Sequence, residues 1–454
     1  MEAGYTVGAA AAFGVITVAG VVAAKRSRSY SDFSIGGRSF SSPMVAGVII
    51  GTVYGGSATV GTAQLAFRYG FSAWWFTLGS GIALLVLALF LAAPLRRQGI
   101  TTVPQFIEDV YGRNAAVWAS VFTCVGMFLN VLSQVIAAGA ILSSCFGLGT
   151  VASSLITAVC IVAYVAVSGV WGASLVGIAK AMLVVGSMTV VGILAYSLGA
   201  TPSALMASLP RYPYFSLFGR GLWADLAAAF SMVVGINSSQ TYIQAMCSAR
   251  NVAAARAGAV IAGAIATLAG IPPVIVGMLM RLRCPGMLSQ DALPRFVLEF
   301  MPSWLAGLTL ATVFISTLGT AAGLSLGIGT ILSSDLYRKL FRPSAPESQL
   351  LAVSRAGIVG TALLAAAVMI RGTDATILKW GFLSLGLRGA TVFFPLVFGV
   401  FARKRVSPSA GAAAIVAAPL ASIVWGVLNP QGLDPLYIGL ATSAMVMVLG
   451  LAHR

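Results

Sequence analysis

Two basic side chains lie inside long apolar stretches of this sequence, where a charge is costly. Lys180 falls about 8 residues into one stretch, roughly 12 Å deep if that stretch is helical. Arg388 falls about 11 residues into another, at a similar depth by the same helical rise. Ionisable residues at such depth in a membrane serve ions, protons or charged ligands by default. The sequence therefore predicts that Lys180 and Arg388 act on charge inside an apolar interior.

Acidic side chains that would neutralise these two cations are scarce. Of the 11 Asp and Glu residues, only Asp225 falls close to the depth of the apolar stretches. A buried charge without a partner is strongly unfavourable, so Arg388 is predicted to counter an anionic ligand such as a carboxylate. Two plainer interpretations stay open: backbone carbonyls satisfy Arg388, and Lys180 extends along its helix to reach water.

Two of the apolar stretches are interrupted by glycines and hydroxyl residues near their middle. They are residues 51–62 (GTVYGGSATVGT) and residues 234–241 (VGINSSQT). Unwound backbone at membrane depth is tolerated only where it lines a cavity or is buried in protein; the alternative is close helix packing through small residues. Ser57, Asn237 and Ser238 lie beside these interruptions and are predicted to orient polar groups of a ligand.

The composition places all of these residues in a membrane protein. The chain has 454 residues, of which 59% are hydrophobic and only 8% charged, whereas soluble domains carry about a quarter charged residues. We predict an all-α polytopic protein, a single domain over residues 1–454, in the lipid bilayer. About 13 transmembrane helices are expected at residues 5–24, 43–68, 72–95, 115–143, 150–170, 172–199, 220–244, 252–281, 304–334, 351–370, 377–402, 406–428 and 433–452.

The basic residues set the topology of these spans. The formal net charge is +16, but the positive residues lie mostly in short loops, which favours lipid headgroups over nucleic acid as their partner. One side of the membrane carries the larger share, including Arg338, Lys339, Arg403 and Arg405. The positive-inside rule then places the N-terminus outside and the C-terminus in the cytoplasm of a bacterial or archaeal cell.

The two interrupted spans begin two successive blocks of five spans. Paired, interrupted helices at matching positions in two halves indicate a transporter's substrate site. A repeat of five spans must be inverted in the membrane, which predicts a 5+5 inverted repeat. The first repeat is expected at residues 43–200 and the second at 220–402, with one extra helix and its loop before them (1–42) and two additional helices after them (406–454). This arrangement favours alternating access over a channel.

The sequence lacks the residues of an intramembrane enzyme. Its single histidine, His453, is at the C-terminus, and no carboxylate lies at mid-membrane depth. The five cysteines have no metal-binding spacing. We therefore expect neither catalysis nor a histidine-based metal site, and no feature indicates an obligate protein partner.

Several short motifs resemble the sodium:solute symporter family. They occur in the family's order: DFSIGGRS at 32–39, TAQLAFRYG at 62–70, LRR at 95–97 followed by TVPQF at 102–106 and YG at 111–112, QTYIQ at 240–244 with SAR at 248–250, and SDLYR at 334–338. The resemblance implies the leucine-transporter-type inverted-repeat fold, with one extra helix before the core and two after it. It also implies sodium-coupled uptake of a small organic solute, which the two deep cations predict to be anionic.

The resemblance further implies a sodium site between the second and ninth spans. Its carbonyl ligands would come from Gly51 and Tyr54, and its hydroxyl ligands from Ser316 and Thr320. Oxygen ligands suit a hard cation. The hydroxyl pair that best matches the family pattern comes one turn early, and these hydroxyls alternatively bond the preceding turn of their own helix.

The sixth span departs from the family pattern. Gly177 and Lys180 stand where the family carries an Asp and, three residues on, a Gln. Relatives with this fold that do not use sodium place a Lys or Arg in the empty sodium site. The alternative to sodium coupling is therefore a proton-coupled or sodium-independent transporter in which Lys180 replaces the cation and points into the gap between the second and ninth spans.

Overall fold

A computed structural model of the protein describes residues 3–26, 39–97, 102–168, 175–372, 375–403, 405–429 and 432–452. The motif residues 32–38 and His453 lie outside this set. The described residues form helices throughout; their one β-type pairing is an isolated bridge between Phe40 and Ala249. The prediction of an all-α architecture is therefore confirmed for the described chain.

The α-helices follow one another with short connections. They are α1 (Ala3–Arg26), α2 (Ser42–Val53), α3 (Thr62–Tyr69), α4 (Trp75–Val86), α5 (Ala92–Arg97), α6 (Val103–Tyr111), α7 (Arg113–Phe146), α8 (Thr150–Ser168), α9 (Leu175–Ser197), α10 (Pro202–Ser208), α11 (Arg211–Tyr214), α12 (Leu222–Ser238), α13 (Gln240–Cys247), α14 (Val252–Ala269), α15 (Ile271–Arg283), α16 (Ala292–Phe300), α17 (Ser303–Thr330), α18 (Glu347–Ile370), α19 (Ile377–Phe401), α20 (Pro408–Leu428) and α21 (Pro435–Ala452). Turns of π-helix occupy Ser57–Gly61, Leu87–Leu91 and Ile331–Phe341, and turns of 3₁₀-helix occupy Gly70–Trp74 and Ser289–Asp291.

Many of these helices are long and apolar enough to cross a membrane. Within the described residues, 8 qualify alone, or 9 when the bent pair α12 and α13 is taken as one span. Four further apolar helices are shorter, at Ala3–Ala19, Ser42–Val53, Thr150–Val165 and Pro435–Leu451. The chain is thus a multi-pass membrane protein, while the count of 13 stays a prediction.

The run Ser57–Arg97 contains more than one crossing. Both α2 and α4 pack against α14, whereas α3, which lies between them in the chain, packs against α15. The chain therefore turns back between α3 and α4. Gly70 makes this turn with φ of 60°, a conformation that glycine adopts without strain.

The second predicted span is broken at its middle, as its glycines indicated. Helix α2 ends at Val53, and Tyr54 is extended with φ −85° and ψ 92°. The Gly55 N–H bonds the Val53 carbonyl at 3.2 Å instead of continuing the helical ladder. A Cβ on Gly55 would lie 2.6 Å from the Gln134 side-chain oxygen, so a larger residue here would displace Gln134.

The seventh predicted span is broken as well. Helices α12 and α13 meet at an angle of 50° around Ser239, which is extended with φ −89° and ψ 128°. Both interruptions predicted from the sequence are therefore present in the structure.

The packing of the two five-span blocks is reciprocal. In the first block α2 packs against α9, and in the second the corresponding helix α12 packs against α19. Across the blocks, α2 packs on α14 and α12 packs on α4. This exchange of partners is expected of two related halves that share one core, and it supports the repeat, whose residue boundaries stay a prediction.

Candidate solute and cation site

The second and ninth spans meet at the break of the second. The Ser316 hydroxyl of α17 donates a hydrogen bond of 2.5 Å to the Tyr54 carbonyl, which the break has freed from the helix. One turn further along α17, the Thr320 hydroxyl donates to the Ser316 carbonyl at 3.0 Å. The Tyr54 ring is fully buried, and its hydroxyl donates to the Ala266 carbonyl at 2.7 Å. Three of the four predicted sodium ligands therefore adjoin one another.

The fourth predicted ligand, Gly51, lies against the sixth span. A Cβ on Gly51 would fall 2.4 Å from the Gly177 carbonyl oxygen, so the two backbones are in direct contact. The Gly51 carbonyl has lost its usual helical donor, because the Gly55 N–H is directed to Val53. The position that carries an acidic residue in the family pattern is thus filled here by backbone alone.

Lys180 projects into the gap between the second and ninth spans. Its Nζ donates to the Thr320 hydroxyl at 2.9 Å, and the side chain is 6% exposed. The amine lies beside Gly319 of the ninth span, where a Cβ would stand 3.8 Å from it, an ordinary contact distance. Within the described part of the chain, Lys180 pairs with no carboxylate. The amine is therefore buried at the predicted cation site and does not extend along its helix to the surface.

The donor set around Thr320 does not fit a sodium ion beside this amine. An ammonium bonded to Thr320 stands where a cation held by that hydroxyl would stand. Two unit charges 4 Å apart repel by about 4 kcal/mol at an effective dielectric of 20, and the Ser316 hydroxyl already bonds the Tyr54 carbonyl. The Lys180 amine thus occupies the Thr320 oxygen that the resemblance assigned to sodium.

A cluster of neutral polar side chains lies beside the break, centred on Gln134 of α7. The Gln134 oxygen accepts the Gly56 N–H at 2.8 Å, and its nitrogen donates to the Ser57 hydroxyl and to the Asn130 oxygen, each at 2.9 Å. Ser57 also shares a hydrogen bond of 2.8 Å with Ser133. Gln134 therefore replaces the helical acceptor that the Gly56 N–H loses at the break.

The same cluster reaches the start of α19. The Ser133 hydroxyl donates to the Ile377 carbonyl at 2.8 Å, and the Ile377 N–H donates to the Gln64 side chain at 2.8 Å. Sequence reasoning found Ser57 and missed Asn130, Ser133 and Gln134. The available signal was two amides at i and i+4 in an otherwise apolar helix, which places both on one face.

In the described chain, Asn237 and Ser238 make no hydrogen bond to Ser57. The Asn237 amide donates to the Ala83 carbonyl of α4 at 3.1 Å and to the Val233 carbonyl at 2.8 Å, and Ser238 donates to the carbonyl of Val234 in its own helix. Among the described residues no donor reaches the buried Asn237 oxygen. Asn237 thus joins α12 to α4, whereas Ser238 bonds within its own helix.

Arg388 lies apart from Ser57 along α19. Its stem crosses α7 at Gly126, where a Cβ would come within 2.7 Å of the Arg388 Cγ. Its guanidinium donates to the Ser384 carbonyl at 3.2 Å and to the Ser384 hydroxyl at 2.9 Å. In the described chain these are its hydrogen bonds, and no carboxylate pairs with it. A side chain that is 4% exposed thus holds an unneutralised charge.

The one acidic residue expected near membrane depth is engaged elsewhere. Asp225 is fully buried and pairs with Arg220 at 2.6 Å. It also accepts hydrogen bonds from the Ser72 hydroxyl at 2.7 Å and from the Arg220 N–H at 2.9 Å. The Arg220 guanidinium in turn lies 5.3 Å from the ring centre of Phe382. Asp225 is therefore bound to Arg220 and does not neutralise Lys180 or Arg388.

This fold and this site define a helical membrane protein built around two broken helices and a buried polar core. Comparison with known proteins gives its family. The sequence profile of the sodium:solute symporter family matches residues 33–417. The chain belongs to the sodium:solute symporter family, a family of transporters and not of enzymes.

Solved structures agree with this fold. A substrate-bound, outward-open Na⁺-coupled sialic acid symporter superposes with a TM-score of 0.76 at 17% identity, covering 98% of this chain and 96% of that one. A closed form of MHP1, a nucleobase-cation-symport-1 family transporter, superposes with a TM-score of 0.61 at 12% identity, covering 94% and 95%. At these identities the likeness establishes the fold alone.

Among curated proteins, an uncharacterized symporter of Escherichia coli is 22% identical over 349 residues, covering 72% of this chain and 61% of the relative. The sodium/sialic acid symporter NanT of Aliivibrio fischeri is 27% identical over 163 residues, covering 35% of this chain and 31% of the relative. The matched part of this chain thus spans less than two thirds of either relative.

Proposed function

We propose that this protein takes up a small organic solute across the plasma membrane of a bacterial or archaeal cell by alternating access. The observation that carries the proposal is the pair of broken helices, α2 with α3 and α12 with α13, in two reciprocally packed halves. Broken helices at matching positions in two halves form the substrate site of many secondary transporters. The positive-inside rule supports an outer N-terminus and a cytoplasmic C-terminus.

The solute is proposed to be anionic, with a carboxylate as the simplest group. Lys180 and Arg388 are both buried, and in the described chain neither contacts a carboxylate. Buried cations need a counter-charge, and a solute carboxylate passing through the centre supplies one. The amides and hydroxyls of Gln134, Asn130 and Ser57 suit the solute's neutral polar groups.

Uptake is proposed to depend weakly or not at all on sodium. The supporting observation is the Lys180 amine on Thr320 at 2.9 Å. A fixed ammonium supplies the positive charge that a bound ion supplies elsewhere, so the site keeps its charge without sodium. Sodium coupling, which family membership favours, is the competing candidate.

Uptake by the purified protein in liposomes distinguishes these candidates. A panel of small radiolabelled carboxylates is offered under an inward sodium gradient, an inward proton gradient or neither. We expect accumulation of at least one carboxylate to persist when potassium replaces sodium, and we expect Lys180→Gln to change its ion dependence. Lys379→Gln, an exposed lysine at the start of α19, is the matched control. Equal uptake without any concentration of the solute inside the liposome would indicate a channel instead.

A further inference from the structure

Helices α7 and α19 pack side by side in opposite directions. Two groups of polar residues lie at different levels along their contact. At one level, Gly381 of α19 faces Ser57 and Ser133, whose hydroxyl oxygens would lie 3.8 and 3.9 Å from a Cβ there. At the next level, Arg388 of α19 crosses Gly126 of α7. The two levels are about two helical turns apart, roughly 10 Å by helical rise. In the predicted orientation the second level lies nearer the cytoplasm.

Asn130 stands on α7 between these two levels. It is one turn from Gly126 and one turn from Gln134, and therefore shares the face that packs towards α19. Its oxygen accepts from Gln134 at 2.9 Å. Its nitrogen has two donor hydrogens, and no acceptor among the described residues bonds them. Asn130 is partly exposed although Val131 and Gln134 beside it are buried. Asn130 and its free donors are therefore accessible where the neighbouring residues of α7 are packed.

The Arg388 guanidinium is held in place by its own helix. Both of its hydrogen bonds go to Ser384, one turn back along α19, so the side chain folds towards the level of Asn130. The charge is thus held by neutral groups of Ser384 and is left without a counter-charge among the described residues.

We propose that Arg388, Ser384 and Asn130 form an inner anion subsite, which adjoins the polar cluster around Ser57 and Gln134 through Asn130. It binds a carboxylate or another small anion through the guanidinium and the free Asn130 N–H groups. The inference rests on the proposed function, since a solute leaving the central cluster towards the cytoplasm meets this subsite next. The subsite then acts as a second counter-charge along the path and lowers the cost of moving an anion through an apolar interior.

Charged thiol reagents test the subsite without knowledge of the solute. In a full-length protein whose five cysteines are replaced, Asn130→Cys is treated with an anionic methanethiosulfonate (sulfonatoethyl) and a cationic one (trimethylammonium-ethyl). We expect the ratio of the anionic to the cationic rate constant to fall about tenfold when Arg388→Gln is added, a difference of about 1.4 kcal/mol. Arg388→Lys keeps the charge and should keep most of the ratio.

A cysteine on the cytoplasmic surface supplies the control. Ser344 is exposed. In Ser344→Cys, the ratio of the anionic to the cationic rate constant should not change when Arg388→Gln is added. An Asn130→Cys ratio that is the same with arginine and glutamine at position 388 would overturn the subsite. An Asn130→Cys thiol that reacts with neither reagent while Ser344→Cys reacts would overturn it too, because no anion then reaches Asn130. If Arg388→Gln fails to fold, the comparison is made with Arg388→Met and Arg388→Lys.

The result is independent of the transport assay. Uptake with unchanged reagent selectivity would overturn the inner subsite alone. Reagent selectivity without uptake of any tested carboxylate would leave the subsite supported and count against the proposed solute class.

Discussion

The Lys180 amine donates a hydrogen bond of 2.9 Å to the Thr320 hydroxyl, and this contact joins the sixth span to the ninth at the break of the second. The Thr320 hydroxyl donates a hydrogen bond to the Ser316 carbonyl, and the Ser316 hydroxyl donates one to the Tyr54 carbonyl. One buried lysine amine and two hydroxyls thus connect three spans at the break of the second. Three of the four oxygen atoms that the family resemblance assigned to sodium are thus engaged within the protein: the Tyr54 carbonyl accepts from Ser316, and the Thr320 hydroxyl accepts from Lys180.

Replacing Lys180 should therefore create sodium sensitivity. In Lys180→Gln the fixed positive charge is removed, while the Tyr54 carbonyl and the Ser316 and Thr320 hydroxyls stay. We expect the thermal unfolding midpoint of the wild type to be the same in sodium and potassium chloride. The variant should be stabilised by sodium, by about 2.7 kcal/mol when sodium is about 100-fold above its Kd. Lys379→Gln should behave as the wild type; a sodium-stabilised wild type and an indifferent Lys180→Gln would contradict the assignment.

The pair of Arg220 and Asp225 should matter for stability far more than a surface pair does. Asp225 is fully buried and accepts hydrogen bonds from Arg220 and Ser72. Asp225→Asn leaves the Arg220 charge without its partner, and breaking a buried pair in this way costs about 3–5 kcal/mol. We expect a large drop in the unfolding midpoint in detergent.

The exposed pair of Arg295 and Glu299 is the matched control for this prediction. Its side chains are 51% and 37% exposed, and exposed pairs contribute about 1 kcal/mol or less. Glu299→Gln should therefore leave the midpoint nearly unchanged. Equal effects of Asp225→Asn and Glu299→Gln would show that the buried pair contributes little.

Gly51 should tolerate no side chain. A Cβ there would lie 2.4 Å from the Gly177 carbonyl oxygen, and because that atom belongs to the backbone it cannot rotate away. Gly51→Ala must therefore push the second span away from the sixth. The free energy of unfolding should fall by about 1–3 kcal/mol, as at other overpacked sites. Gly186→Ala in α9 meets nothing within 4 Å and should be neutral. Fluorescence-detected size-exclusion chromatography after heating compares the two variants, and similar melting would contradict the close contact.

The breaks of the second and seventh spans could be predicted from the sequence because their cause is local. Glycine is a poor helix former, and the chain places Gly55 and Gly56 where a helix would need to continue across a membrane. The burial of Lys180 and Arg388 was predictable for a similar reason, since both lie deep in apolar stretches. The number of crossings was less certain, because four apolar helices are shorter than a typical span.

The grouping of polar residues into sites could not be predicted, because it depends on how helices are rotated and aligned. Asn237 and Ser238 were predicted to orient a ligand from beside the breaks; their side chains bond Ala83 and their own helix, and their role stays a prediction. Arg388 was expected in the same site, but the alignment of α19 on α7 places it at Gly126. Asn130 and Gln134 were missed, because an amide in an apolar helix gives no sign of its partner until the neighbouring break is known.

Gln134 provides the last prediction, because it stabilises the break itself. Its side-chain oxygen accepts the Gly56 N–H at 2.8 Å, a donor left without a helical partner where the second span unwinds. Gln134→Leu keeps the approximate volume and removes the acceptor, and a buried N–H left unsatisfied costs about 1–3 kcal/mol. The variant also loses the hydrogen bonds to Ser57 and Asn130. We expect a lower unfolding midpoint and the loss of uptake of any carboxylate that the wild type accumulates.

Gln349→Leu at the start of α18 is the matched control. The Gln349 oxygen is buried and has no hydrogen-bond donor among the described residues, so its removal leaves no partner unsatisfied. This variant should keep its midpoint and its uptake. Since both substitutions exchange an amide for an isobutyl group, a difference between them isolates the hydrogen bonds of Gln134. Normal uptake by Gln134→Leu would show that the broken backbone holds its shape without this amide. The solute site would then have to be sought elsewhere in the core.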